Sequence, residues 1–519
     1  MTQSPNASPL NQRRAGILLH ISSLPSAYDV GDLGVEAYRF VDFLNDMGAS
    51  VWQTLPINMP HADNSPYQCL SAHAGNPDFI SLEALQAQGL LEKNDLSSLA
   101  LNTPPNKSHL ISRAYQVFCQ KKDEQNKQKI TDFCLEHAHW LNDFALFLAL
   151  RTKFNQTGWH CWPEAYKNRN AETLKQAQLE LAQEIAVIKF TQFVFFTQWL
   201  SLKAYAATKN VYLFGDIPIF VAYDSADVWA QPDLFKLDAD KNMNVVAGVP
   251  PDYFSATGQR WGNPHYNWEA MAADGYAWWI SRMVTQNELF DIVRIDHFRG
   301  LQAAWEIPAN EETAINGQWV TAPGDDLLAA ITNALPNITL VAEDLGIITD
   351  EVDALRNKYH LPGMKILQFA FDGHEDNPYL PHHIEANSVV YTGTHDNNTT
   401  LGWYAALDEQ QREHVHAYSR SSHSEQHLPS MPNDLIDMAL ESKAQLAIIP
   451  MQDLLALDSS HRINTPGTCS GNWHWRFDWQ QLSEPLSVAQ QKTFAEAIAR
   501  TERSDFQDSL QNDISVRQC

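Results

Sequence analysis

Apolar runs rich in β-branched residues recur along the chain, and segments with helical periodicity separate most of them. A run at 15–20, a helix-period segment at 35–47 and a second run at 49–56 give the order that starts a parallel sheet. The predicted strands are 15–20, 49–56, 211–219, 292–298, 338–345, 363–369, 388–396 and 446–454. Eight such strands with helices between them predict the α/β fold of a (β/α)8 TIM barrel.

One long stretch departs from this alternation. Residues 57–210 contain helix-period segments at 82–91, 131–154 and 174–207 but no clear strand pattern. We therefore predict a barrel with helical insertions, the largest of which follows the second strand and ends in the helix that leads into the third. Because α/β barrels with insertions often reach this length, we expect residues 1–519 to form a single catalytic barrel domain.

The fourth predicted strand carries two ionised residues within an apolar run. Period-two alternation puts Arg294 and Asp296 on one face of the strand, and Val293 and Ile295 on the other. A structural ion pair in a core explains such a pattern, and for an isolated pair it is the commoner explanation. The alternative is a carboxylate at a strand end, kept ionised by the arginine and directed at a substrate.

Three more predicted strands carry a carboxylate near their C-terminal ends: Asp216, Glu343 and Asp396. In a barrel these ends meet at one mouth, where active sites lie. A single acid there is usually a helix cap, but several converging acids repel one another, so a fold keeps them for a purpose. Two carboxyl groups that flank a bond suit glycoside chemistry. By parity Glu343 faces the same interior as Val341, where a neighbouring carboxylate would raise its pKa.

Several longer motifs occur along the chain. They are S-P-Y-Q (65–68), A-G-N-P (74–77), G-V-P-P-D-Y-F-S-A-T-G-Q-R-W-G-N-P (248–264), V-R-I-D-H-F-R-G (293–300), A-E-D-L-G (342–346), P-G-M-K-I-L-Q-F (362–369), T-G-T-H-D-N (392–397) and R-I-N-T-P-G-T (462–468). These motifs closely resemble those of the 4-α-glucanotransferases, which include amylomaltase and the plant disproportionating enzyme, in glycoside hydrolase family 77 of the α-amylase clan. The resemblance extends over residues 16–476.

The resemblance implies a retaining double displacement on α-1,4-glucans. By similarity, Asp296 is the nucleophile, Glu343 is the general acid and then the base, and Asp396 holds hydroxyls of the distorted donor sugar. The resemblance further implies maltooligosaccharides and α-1,4-glucans as donors and acceptors. Residues expected to bind them are Ser65, Tyr67, Asp216, Asp252, Gln259, Trp261, Arg294, His297, His395 and Asn464.

The stretch 248–264 resembles the family's flexible loop over the cleft. Its Gly, Pro and Ser content suits an active-site lid, although an ordinary surface loop has the same composition. A lid matters because transfer requires a second sugar, rather than water, to reach the intermediate. Asn398 stands where the family often has aspartate, which affects only a secondary polar contact. We expect the short architecture, without the N-terminal β-sandwich extension of the longer bacterial forms.

The composition limits the kinds of ligand and partner that we expect this protein to bind. The formal net charge is −26 and the pI is near 5.1, which disfavours nucleic acid and anionic membranes and suits a neutral ligand. Residues 1–14 lack the apolar core of a signal peptide, and the six cysteines are scattered without a C-x-x-C motif, so we expect a cytoplasmic protein with reduced thiols. Because carboxylates supply both the nucleophile and the proton, we expect no cofactor and no metal.

The predicted function is therefore transfer of an α-1,4-glucan segment to the 4-OH of another glucan or of glucose. A hydrolase of the same clan differs only in using water as the acceptor, and the carboxylates do not separate the two. A catalytically inactive glucan-binding protein is a further alternative, against which the intact trio of Asp296, Glu343 and Asp396 argues. The sequence leaves the oligomeric state open.

Overall fold

The computed structural model describes residues 8–97, 107–251, 255–422, 430–468 and 470–504. Its strands are β1 (Arg14–Leu18), β2 (Val51–Gln53), β3 (Tyr212–Pro218), β4 (Val245–Val249), β5 (Gln259–Pro264), β6 (Ile292–Asp296), β7 (Ala303–Pro308), β8 (Gln318–Thr321), β9 (Leu340–Ala342), β10 (Gly363–Ile366), β11 (Ser388–Tyr391) and β12 (Leu446–Pro450). Eight of them form one sheet in the order β10-β11-β12-β1-β2-β3-β6-β9, and every neighbouring pair is parallel. Each predicted strand overlaps one of these eight.

The parallel sheet curves into a barrel. The backbone N–H of Ala342 in β9 donates to Pro362 O, just before β10, at 2.9 Å, which brings the two ends of the sheet together. Alternate residues of all eight strands fill the interior, which is made of Leu10, Leu18, Val51, Leu55, Phe214, Ile292, Val341, Met364, Ile366, Val389, Tyr391, Leu446, Ile448 and Ile463. The other face of each strand packs outward, as Val293 and Ile295 do. The TIM-barrel prediction is confirmed.

Helices surround the barrel. They are α1 (Val35–Asp46), α2 (Leu82–Ala87), α3 (Lys93–Ser97), α4 (Lys107–Gln120), α5 (Glu124–Glu136), α6 (Ala138–Lys153), α7 (Glu164–Lys167), α8 (Ala171–Glu180), α9 (Ala182–Thr208), α10 (Ala226–Ala230), α11 (Trp268–Ala273), α12 (Ala277–Leu289), α13 (Gly324–Ala334), α14 (Asp350–Lys358), α15 (Thr400–Ala406), α16 (Glu409–Ser422), α17 (Asn433–Glu441), α18 (Met451–Leu454) and α19 (Pro485–Arg500). Helices α2 to α9 all lie between β2 and β3, within the stretch in which the sequence shows only helical periodicity.

Helix α9 is long and apolar enough to cross a membrane by length and composition, but half of its apolar window is buried within the protein. Two of its polar side chains explain why it belongs to a core. Gln192 bonds the backbone N–H and C=O of Gly75, and Gln198 does the same with Ser81. These amides satisfy backbone groups that would otherwise be buried without partners, so α9 is fixed inside the protein.

A second sheet was not predicted. It is antiparallel, in the order β5-β4-β7-β8, and it is formed by the segments that follow β3 and β6. The prediction of a loop over 248–264 is therefore wrong in its secondary structure, since Val249 pairs with Gln259 and Gly248 with Arg260. The Gly and Pro residues interrupt the alternation that is typical of a strand. Pairing of β4 with β7 stabilises the hairpin, and this long-range contact gives no local sequence pattern. Asp252 lies outside the described residues.

Candidate active site

Arg294 lies at the centre of the charged groups at the C-terminal end of the barrel. It points into the interior from β6 and is 5% exposed. Its Nη1 donates to both oxygens of Asp216, at 2.7 Å and 2.6 Å, and its Nη2 lies 2.8 Å from Asp296 Oδ1. Asp216 stands opposite Arg294 on the neighbouring strand β3. One guanidinium therefore bridges carboxylates from two adjacent strands.

Glu343 follows β9 directly and is held by backbone groups. Its Oε1 accepts the N–H of Leu345 at 2.9 Å, and its Oε2 accepts the N–H of His297 at 2.6 Å. His297 has a φ of 53°, in the left-handed region that residues other than glycine rarely adopt. This conformation turns the chain sharply after Asp296 and directs the N–H of His297 at Glu343. The acid is thus tied to the residue that follows Asp296.

Burial raises the pKa of both Asp296 and Glu343, and the positive charge of Arg294 lowers both. The sequence predicts that Arg294 keeps Asp296 ionised, but its charge is shared with Asp216, and burial outweighs it. Interacting acids titrate as a pair. The ion pair with Arg294 supports the carboxylate of Asp296, and the two backbone N–H donors support that of Glu343.

Asp396 lies in the turn after β11 rather than at the strand end, and its side chain is 50% exposed. The prediction that the strand extends to Asp396 is wrong, since β11 ends at Tyr391. Asn464 Nδ2 donates to Asp396 Oδ1 at 2.6 Å, and Arg462 Nη2 donates to its backbone O at 2.8 Å. His395 Nε2 lies 3.4 Å from the same Oδ1. Two side chains from far along the chain therefore hold Asp396, Asn464 at the carboxylate and Arg462 at the backbone.

Tyr67 connects the two groups of acids. Its hydroxyl donates to Asp216 Oδ2 at 2.7 Å, and its ring stacks on His395, with centroids 5.3 Å apart and planes 17° from parallel. Trp473 lies near both rings, at 6.2 Å and 6.1 Å between centroids. Burial lowers the pKa of His395, which favours its neutral imidazole. A cavity of about 190 Å³ opens beside Trp473, and it is also lined by Asn64 and Pro66 of the turn that carries Tyr67.

The hairpin β4–β5 reaches the same site. The ring of Trp261 meets the ring of His297 edge-on, with centroids 4.9 Å apart and an interplanar angle of 89°. Trp261 Nε1 donates to Gln259 Oε1 at 3.2 Å, so Gln259 joins the site through Trp261. Ser65 lies on the turn that carries Tyr67. Through these contacts the structure links the predicted residues Tyr67, Asp216, Gln259, Trp261, Arg294, Asp296, His297, Glu343, His395, Asp396 and Asn464.

Three residues of this region were missed by sequence reasoning. Arg462 belongs to the R-I-N-T-P-G-T motif, which pointed to Asn464 alone. Trp473 is one tryptophan among 16, and composition does not distinguish it. Asp453 lies near the end of the predicted strand 446–454, so the rule that selected the other strand-end acids would have found it.

The parallel barrel is closed, and a cluster of acids with one arginine lies at the C-terminal ends of its strands. This combination is typical of the class of barrel enzymes that break glycosidic bonds between two carboxyl groups. Comparison with known proteins gives the particular family. A family model described as 4-alpha-glucanotransferase matches residues 19–482. The chain belongs to the 4-alpha-glucanotransferase family, and it is an enzyme that transfers glucan.

Individual relatives agree with this result across the whole barrel. A 4-alpha-glucanotransferase from Synechocystis is 46% identical over 490 residues, which cover 92% of this chain and 96% of that protein. One from Thermus thermophilus is 44% identical over 496 residues, covering 94% and 99%. The amylomaltase from Streptococcus agalactiae in complex with acarbose superposes with a TM-score of 0.89 at 35% identity, covering 95% of this chain and 100% of that one. In each of these comparisons the similarity covers more than nine tenths of this chain and of the other protein.

Proposed function

We propose that this glucanotransferase works by a retaining double displacement in which Asp296 is the nucleophile and Glu343 the general acid and base. The donor is an α-1,4-linked maltooligosaccharide, and the acceptor is another glucan or glucose. The observation that carries this assignment is the ion pair between Arg294 and Asp296 beside the backbone-held Glu343. The reaction needs one ionised and one protonated carboxyl group next to each other, and the ion pair with Arg294 supports Asp296 as the ionised one.

In the first step, Asp296 Oδ attacks the anomeric carbon of the donor as the bond from that carbon to the glycosidic oxygen breaks. Glu343 gives its proton to the departing oxygen, which leaves as the 4-OH of the released fragment. The held glucan is then joined to Asp296 as a β-glucosyl ester. Glu343 has become a carboxylate, which its two backbone N–H donors stabilise.

In the second step, the 4-OH of the acceptor attacks the same carbon and gives its proton to Glu343. The ester bond breaks, Asp296 returns to a carboxylate paired with Arg294, and the new α-1,4 bond forms with retention. The proton lent in the first step is recovered in the second, so no external acid or base is consumed.

The remaining predicted residues act on substrate binding. Asp396, supported by His395 and Asn464, holds hydroxyls of the distorted donor sugar, while Tyr67 and Asp216 complete the donor side with Arg294. Trp261 and His297 form a second wall, with Gln259 behind Trp261. Ser65 and Asp252 are proposed as further sugar contacts. We propose that the hairpin β4–β5 closes over the cleft and excludes water from the ester.

The cellular setting is also a proposal. Two observations support a role in maltose and glycogen metabolism in the cytoplasm. The family acts on glucans, and the acidic surface suits a neutral sugar better than a polyanion. Acarbose, a ligand of the related Streptococcus agalactiae amylomaltase, would be expected to occupy the same cleft here.

Incubation with maltotriose tests transfer against hydrolysis. The expected products are glucose and a ladder of longer oligosaccharides, with little gain in total reducing ends, because each bond broken is replaced by another. Asp296→Asn should give neither product, while Glu351→Gln, an exposed acid on α14, should behave as the unmodified enzyme. A steady rise in reducing ends without a ladder would show a hydrolase instead.

A further inference from the structure

Asp453 is a buried acid in α18, just after the last barrel strand, and it is 1% exposed. Its Oδ2 accepts the hydroxyl of Thr392 at 2.6 Å and the hydroxyl of Thr400 at 2.7 Å. Its Oδ1 accepts the backbone N–H of Thr400 at 2.7 Å. Thr392 directly follows β11, and Thr400 begins α15. One carboxylate therefore holds both ends of the segment between them, which we name the 392–400 loop.

The 392–400 loop carries Asp396 and His395. Within the loop, Asn397 Oδ1 accepts the N–H and the hydroxyl of Thr394, at 2.9 Å and 2.8 Å, which sets a local turn. These bonds shape the loop, but they do not fix where it sits on the barrel. Asp453 contributes to that placement, together with the bonds of Arg462 and Asn464 to Asp396, because it ties both ends of the loop to the end of β12.

We propose that Asp453 is a positioning residue for glucan transfer, which acts by holding the 392–400 loop so that Asp396 and His395 face the donor sugar. This inference rests on the proposed role of Asp396 in gripping the donor. Asp453 touches no reacting atom in this account. Asp453 affects turnover only by positioning the 392–400 loop. An experiment can therefore distinguish this role from that of an ordinary core residue.

The geometry of the three hydrogen bonds predicts which substitutions the site tolerates. Replacement by alanine leaves one backbone donor and two hydroxyls without their acceptor in a buried place, so the loop must shift to find other partners. Asparagine fits without a shift. Its amide oxygen can replace Oδ1 and accept the N–H of Thr400, while its NH2 replaces Oδ2 and donates to both hydroxyls, which rotate to become acceptors. The positioning therefore depends on hydrogen bonding rather than on charge.

The alternative role is a structural one, in which Asp453 merely caps α15 through Thr400. A cap of this kind would lower the thermal stability of the protein but would not act specifically through Asp396. A double-mutant cycle separates the two roles, since residues that act through one another are not additive.

The experiment measures kcat, KM and melting temperature with maltotriose, on the full chain, for Asp453→Ala, Asp453→Asn, Asp396→Ala and the double alanine variant. We expect Asp453→Ala to lower kcat by about 10- to 100-fold with a smaller change in KM, the scale of a small misplacement of a substrate-positioning group. Asp453→Asn should restore kcat to near the unmodified value. In the double variant, Asp453→Ala should add little to the loss caused by Asp396→Ala.

Two further variants keep the test decisive. Asp434→Ala removes another buried acid, which holds Ser419 and the backbone of Ser430, and should change stability without changing kcat. If Asp453→Ala does not fold, Thr392→Val removes one of the three bonds while keeping the side-chain shape, and it should lower kcat in the same direction.

Three results would overturn the inference. If folded Asp453→Ala keeps its kcat, Asp453 does not act through the loop. The same follows if Asp453→Ala lowers kcat by an equal factor in the unmodified enzyme and in Asp396→Ala. Loss of kcat in Asp453→Asn equal to that in Asp453→Ala would show that hydrogen bonding is not the cause. If Asp396→Ala itself keeps full turnover, the proposed role of Asp396 fails, and the positioning role fails with it.

Discussion

The two sides of the barrel mouth hold their carboxylates by different means. On one side, Asp296 ends a barrel strand and Glu343 follows the next one directly, where Arg294 and two backbone N–H groups fix them. On the other side, Asp396 is half exposed on the 392–400 loop and depends on side chains such as Asn464. We call these the strand-held side and the loop-held side.

The difference matches the proposed work of each side. Groups that form and break bonds at one carbon atom must keep their positions closely, and the ends of barrel strands provide that rigidity. A group that grips the hydroxyls of a sugar while its ring changes shape benefits from a support that can adjust. The strand-held side therefore suits bond chemistry, and the loop-held side suits recognition of the donor.

The largest expected effect comes from the strand-held side. Asp296→Asn keeps the shape of the side chain but removes the proposed nucleophile, and transfer from maltotriose should fall by about 10⁴-fold or more. Binding of maltotriose, followed by tryptophan fluorescence or calorimetry, should survive. A variant that retains a tenth of the turnover would show that the nucleophile is another residue.

Glu343→Gln should have the next largest effect, because it removes the proposed proton donor from the same side. With maltotriose we expect a loss of about 10²- to 10⁴-fold, the usual range for a general acid. With α-glucosyl fluoride, whose leaving group needs little protonation, the first step should retain much more of its rate. Equal losses with the two donors, measured by fluoride release and by glucose release, would contradict the assignment.

The loop-held side should respond more weakly. Asn464→Ala removes the amide that donates to Asp396 Oδ1, and we expect kcat for maltotriose to fall by about tenfold with little effect on stability. Asn387→Ala serves as the matched control, because it removes an amide that donates to the backbone carbonyls of His360 and Leu361. A loss as large as that of Asp296→Asn would remove the distinction between the two sides.

The smallest expected effect is a change in pH dependence. The charge of Asp216 contributes to the raised pKa of Asp296, so Asp216→Asn should lower that pKa. Because the nucleophile must be ionised, the acidic limb of the kcat/KM profile should move to lower pH. A profile that moves to higher pH would mean that Asp216 mainly orients Arg294 and that its charge is secondary.

The same comparison shows how far the sequence alone reaches. The period-two pattern of β6 placed Arg294 and Asp296 on one face, which is the interior face in the structure, and parity placed Glu343 with Val341, because alternation along a strand is a local property. The barrel itself follows from such local patterns, repeated along the chain. The strand-held side was therefore predictable in both identity and orientation.

The loop-held side was not predictable in the same way. Asp396 was expected at a strand end, but the strand stops at Tyr391, and contacts with residues far along the chain fix its position. Arg462 was missed for the same reason, whereas Asp453 lies near the end of a predicted strand and was within reach of the rule for strand-end acids. The hairpin β4–β5 escaped because its stabilising partner, β7, lies beyond the next barrel strand. Long-range pairing leaves no periodic signal in the sequence.

Direct trapping of the covalent intermediate tests the central claim that Asp296 is the strand-held nucleophile. Glu343→Gln is incubated with α-glucosyl fluoride without an acceptor, and the protein is digested and examined by mass spectrometry. We expect a mass increase of one glucosyl group on the peptide that contains Asp296, and only slow loss of this adduct when maltotriose is added, because the variant lacks the base that takes the proton of the acceptor. An adduct on a peptide that contains Asp396 or Asp216 instead would contradict it.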